Sequence, residues 1–172
     1  SGHGESIQFK ECIHEPKGNR LVFEGIVQPG CGPIFHVHLC QAEGFEVRQG
    51  TMAYQVRGHP VQYLAAGDKT VFEQAVPHRF WNAGDTELIM NSWAKPAGNL
   101  RRYMTILFLS TSKRHSNTPA LFDAAYLTIQ YKGEFDVLEI PYLVKSLLFP
   151  AVYWIGRAFR VYKKYELKKS DE

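Results

Sequence analysis

The chain has 172 residues, enough for one domain, or one domain with an appendage, that buries a sizeable core. Hydrophobic residues make up 45% and charged residues 22%, the balance of an ordinary globular protein. The whole formal excess of +3 falls in residues 157–172, where six basic residues meet three acidic ones, too little basic surface to suggest a nucleic-acid partner.

Short alternating runs separated by turn residues occupy the first hundred positions. Residues 6–13 and 20–28 read as strands around the turn at Pro16 and Gly18. Residues 35–40, 44–48 and 51–56 follow, with Gly50 in the last turn, and then 61–64, 70–73, 78–82 and 87–93. Many short strands with a turn about every ten residues predict a sandwich or barrel. After 95–98 (KPAG) the texture changes. Residues 100–110 space their apolar positions closer to a helix than to a strand, with a last strand as the alternative. Thr118 is the expected N-cap, and Pro119 the first position, of a helix whose face is Leu121, Ala124, Ala125, Thr128 and Ile129. A final apolar segment runs from about 140 to 167, with a kink expected at Pro150.

That segment is uncharged only over residues 146–156, too short for a bilayer span of about 20 residues. Packing on the outside of the barrel or on a second subunit is the expected use, which favours a homodimer. Peripheral contact with an anionic membrane is the less favoured alternative. Cys12, Cys31 and Cys40 are odd in number and lack metal-knuckle spacing, which predicts free thiols in a reducing, cytoplasmic compartment. There is no apolar leader at the start, and Ser1-Gly2 reads as a cloning remnant.

The chemistry concentrates in residues 30–50, GCGPIFHVHLCQAEGFEVRQG. Side chains two apart on a strand share a face, so His36 and His38 present two imidazoles side by side. Glu43 can add an oxygen ligand to make a mixed nitrogen and oxygen set for a divalent first-row metal. A further ligand has to come from elsewhere.

Gly30, His36, His38, Glu43 and Gly50 resemble, position by position, the first conserved motif of the cupin superfamily. The resemblance predicts a second motif, and from Gly67 the chain reads GDKTVFEQAVPHRFWN, with Gly67, His78 and Asn82 in the expected places. Glu73 stands where that motif has Pro, and Ala75 where it has Gly; both departures concern the turn before His78. The resemblance covers residues 20–97. It implies a mainly β, jelly-roll barrel in residues 1–98, with residues 99–172 as an α-helical extension. It also implies one divalent transition metal (Fe, Mn, Ni, Co or Zn) held by His36, His38, Glu43 and His78. Activities in such proteins include dioxygenases, oxidases, decarboxylases and isomerases, alongside plain binding modules. A dioxygenase or oxidase acting on a small molecule is the leading expectation, with Glu43 also a candidate base. A non-enzymatic module and a metal-dependent isomerase are the alternatives. Same-face spacing from His38 and His78 adds Cys40, Phe80 and Asn82 as candidate pocket residues.

Overall fold

The computed structural model describes residues 4–114 and 116–166. The strands are β1 (Glu5–Ile13), β2 (Arg20–Val27), β3 (His36–His38), β4 (Ala42–Gln49), β5 (Met52–Val56), β6 (Gln62–Leu64), β7 (Lys69–Phe72), β8 (His78–Asn82) and β9 (Leu88–Lys95). Two helices follow, α1 (Leu100–Arg114) and α2 (Leu121–Gln130), then a short strand, β10 (Phe135–Val137). A π-helical turn (Val144–Leu148) leads into α3 (Phe149–Ala158) and a last turn, α4 (Lys163–Glu166).

Two five-stranded antiparallel sheets form, ordered β1-β2-β9-β4-β7 and β10-β3-β8-β5-β6. Their inner faces share one apolar cluster. Val27, Phe45, Val47, Phe72, Leu88 and Met90 come from the first sheet and Met52 and Phe80 from the second. This is a jelly-roll arrangement, and the period-two alternation along β2 and β9 is what makes it possible, since every second side chain points into the shared core. Gly50 takes φ +84 at the turn between β4 and β5, where a Cβ would lie 2.8 Å from Glu87 O. Only glycine is unstrained there.

A second apolar cluster joins the helices to the sheet. Leu21, Phe23 and Ala94 meet Leu100 and Ile106 of α1, Ala125, Tyr126 and Leu127 of α2, and Phe149, Val152 and Tyr153 of α3. Each such fully buried apolar side chain contributes about 1.5–3 kcal/mol. The extension therefore packs on the barrel. It also supplies β10, which pairs with β3 so that Phe135 lies opposite His38 and Val137 opposite His36. The edge of the second sheet is thus closed by residues from beyond position 98.

Local expectations in the extension need correction. Helix α2 begins at Leu121 with Ala120 as its N-cap, and Thr118 makes no cap. Ala120 is held extended (φ −60, ψ 149), and its N–H donates to Ser110 Oγ of α1 at 2.8 Å, so a tertiary bond sets the start. Leu121 is exposed, while Asp123, Ala125, Tyr126 and Leu127 form the buried face. Pro150 produces no break: it occupies the first turn of α3, where its missing N–H is tolerated, directly after the wider π-helical turn.

Candidate metal centre

His36 and His38 project from β3 on one face, and His78 lies directly across from His36 in the ladder. The ring centroids are 5.2 Å apart for His36 and His38 and 4.6 Å for His36 and His78. Glu43 comes from β4 of the opposing sheet, with Oε2 3.4 Å from His78 Nε2 and 3.6 Å from His38 Nε2. One ligand atom from each of the four residues falls within 4.8 Å of the others. His38, Glu43 and His78 are buried, so water cannot substitute fully for the polar partners these groups need.

The outer nitrogens of the rings decide what the inner ones can do. His36 Nδ1 lies 2.9 Å from Ile34 O, and His78 Nδ1 2.9 Å from Val76 O. A carbonyl oxygen only accepts, so both Nδ1 atoms carry the proton. His38 Nδ1 lies 3.2 Å from Gln41 Oε1, while Gln41 Nε2 donates to Ala97 O at 3.1 Å, which leaves Oε1 as the acceptor there too. With Nδ1 engaged, each ring leaves Nε2 as the atom that can ligate an ion beside the Glu43 carboxylate. This is the donor set that a divalent transition ion takes, and the residues fit the metal that the fold implies.

Electrostatics agree with the geometry. Desolvation pushes the His36 pKa down to about 3, and the neighbouring His38 and His78 act in the same direction, so this ring is neutral and ready to ligate. Burial pushes the Glu43 carboxyl up, but His38, His78 and His36 together hold it below its ordinary range. The result is a carboxylate beside a neutral His36 ring.

Aromatic rings brace the cluster. Phe72 stacks on His78 at 3.9 Å and 12°, and Phe135 meets His38 edge-on at 5.2 Å. Phe72 belongs to the barrel cluster and Phe135 to the helical one, so the site sits where the two cores meet. The turn before His78 shows what its altered motif costs. Ala75, where the motif has Gly, takes φ +62, a left-handed conformation that costs a residue with a Cβ about 1 kcal/mol. Its N–H donates to His38 O at 2.8 Å, tying this turn to the end of β3. Glu73 is exposed, away from the cluster.

The three candidate pocket residues fall in three different settings. Phe80 faces the barrel interior and packs on Phe45 at 4.9 Å. Asn82 is buried, but its amide is fully engaged: Nδ2 donates to Val27 O and Thr86 O, and Oδ1 accepts from Gly84 N. Asn82 therefore holds the turn after β8. Cys40 corrects the same-face expectation, because β3 stops at His38 and the chain turns outward; the thiol is exposed and donates to Gly133 O at 3.2 Å. Sequence spacing also missed Gln41, Phe72 and Phe135, since none carries a periodic signal linking it to a ligand.

Residues 23–93 match the cupin domain family model, which supports a cupin domain over that stretch. Among curated proteins it is similar to Probable oxidoreductase virH of Hypocrea virens, 25% identical over 159 residues, covering 84% of this chain and 69% of the relative. Among solved structures, a cupin-like protein of Thermotoga maritima aligns at 24% identity and TM-score 0.47, over 54% of this chain and 69% of that one. A conserved protein with a double-stranded β-helix domain from Klebsiella pneumoniae aligns at 24% identity and TM-score 0.44, over 51% and 75%. Among the described residues, no helix is long and apolar enough to cross a membrane.

Proposed function

We propose that this protein is a metal-dependent oxidoreductase of the dioxygenase or oxidase type, acting on a small organic molecule. The observation that carries the reading is the engagement of all three Nδ1 atoms, which leaves three Nε2 donors and one carboxylate converging. The name of the Hypocrea virens relative supports the oxidoreductase class. An octahedral ion such as Fe(II), Mn(II), Co(II) or Ni(II) on four protein ligands keeps two positions open for a bidentate substrate or for substrate and dioxygen, whereas Zn(II) would be more nearly filled. His36, His38 and His78 serve as neutral donors. Glu43 supplies the compensating charge, and its depressed pKa suits a ligand better than a general base. Phe72 and Phe135 hold the rings of His78 and His38 in place and keep their surroundings apolar. Among the described residues Cys12, Cys31 and Cys40 are all free thiols, which supports a reducing, cytoplasmic setting.

Elemental analysis of the purified protein tests the ligand assignment. About one transition metal per chain is expected, and His78→Ala should lose most of it; unchanged content would sink the assignment. Oxygen uptake by the Fe(II)-loaded protein across a panel of small hydroxy, keto and phenolic acids tests the reaction class. Tight binding without turnover under Fe(II), Mn(II) and Ni(II) loading would favour a binding module instead.

A further inference from the structure

The outer face of the C-terminal helical segment is apolar and uncovered. Val152, Tyr153 and Gly156 of α3 turn inward, but Leu143, Leu147, Trp154 and Ile155 turn outward, flanked by Tyr142 and Phe159. Tyr142 and Phe159 are each 79% exposed, and Leu143, Leu147 and Trp154 are each 66–67% exposed, far more than a monomer's surface needs to leave uncovered. These positions recur at helical spacing over residues 142–159, a stripe of about 25 Å.

Along the stripe itself the charge has one sign. No Asp or Glu occurs anywhere in residues 140–165. Lys145 is spent on Asp136 at 2.7 Å and Lys164 on Asp123 at 2.8 Å. Among the described residues, the side chains of Arg157, Arg160 and Lys163 make no ion pair or hydrogen bond. They line, with Tyr162, a hollow of about 310 Å³ at the C-terminal end of the stripe. Three unpaired cations at this end make the face complementary to an anionic surface.

We propose that this face docks on a membrane surface containing anionic phospholipid. Leu143, Leu147, Trp154, Ile155 and Phe159 enter the headgroup and acyl boundary, and Arg157, Arg160 and Lys163 meet lipid phosphates. The helix lies in the plane of the interface, as its length and one-sided apolarity require, and its Trp and Tyr suit that depth. The assignment is independent of the metal.

Co-sedimentation of the full chain with vesicles tests it, using phosphatidylcholine alone and phosphatidylcholine with about 25% phosphatidylserine. Binding to the anionic vesicles is expected, with a blue shift of fluorescence that disappears in Trp154→Phe. Arg157→Glu with Arg160→Glu should weaken binding about tenfold or more, as should Trp154→Ala with Phe159→Ala. All four positions are exposed, so unchanged thermal melting shows that the variants fold. Absence of binding, or equal binding to both vesicle types and to the Glu variant, overturns the proposal. Self-association lost in Trp154→Ala without any lipid binding would assign the face to a second copy, and retention of an acidic protein without lipid binding would assign it to a protein partner.

Discussion

The metal cradle and the outer face of α3 break the ordinary sorting of side chains in opposite directions. The cradle gathers four polar groups, three buried and His36 half-buried, and each has a partner: the imidazoles bond outward to Ile34, Gln41 and Val76 and face Glu43 inward. The helical face leaves large apolar side chains exposed to solvent. Buried polar atoms cost several kcal/mol unless satisfied, and exposed apolar area wastes a comparable amount per side chain. Satisfied, the polar groups of the cradle cost little, whereas the exposed face forgoes burial, and the two lie where the proposed metal and membrane contacts would fall.

The strongest way to break the comparison is at the helix itself, which has one face of each kind. Phe149→Ala removes a 6% exposed ring from the cluster joining α3 to the barrel and should cost about 3–5 kcal/mol in urea unfolding. Trp154→Ala on the opposite face should change stability by no more than about 0.5 kcal/mol. Equal losses would mean that the outer face is packed in solution.

The cradle is sharpened at Gln41, which touches no metal ligand atom directed inward and acts only through His38 Nδ1. Gln41→Leu should lower metal affinity about 10–100-fold while leaving the ligands intact, measured by competition with a chromophoric chelator. An unchanged affinity would mean that His38 is oriented without it.

Two glutamates, one buried and one half-buried, supply the smallest contrast. Glu43 has three imidazoles about it and is held low, whereas desolvation alone raises Glu5 on the edge strand β1 to about 7. The folded state therefore binds a proton at Glu5 more readily than the unfolded chain. Its contribution to stability is fully present below about pH 4.5 and is lost as pH rises through about 7. Glu5→Gln should remove this dependence and stabilise the protein above pH 7.5 by about 1–2 kcal/mol, discounted for partial exposure. Parallel melting curves for parent and variant between pH 5 and 8 would show that Glu5 is hydrated.

Local periodicity made much of this legible. His36 and His38 are two apart, so any strand puts them on one face and Glu43 can add an oxygen, while the resemblance to the second cupin motif is what implied His78. The alternating runs over residues 6–93 were enough for a two-sheet β-fold because each carries its own in-and-out pattern. Where β3 stops is not periodic information, and that is why Cys40 was expected beside the metal and lies outside it. The same holds for β10: three residues have no measurable period, and only pairing with β3 makes them a strand.

The sequence by itself determined that His36 and His38 share one strand face, because spacing along a strand is a local property, while His78 entered the expected ligand set only through the resemblance to the cupin motifs. Tertiary structure decided the rest. It gave Gln41 to His38 as its hydrogen-bond partner, brought Phe135 from the extension to the edge of the site, and chose which face of α3 to bury. Those outcomes depend on which of several apolar surfaces win the contacts available, and that competition is settled only when distant segments meet.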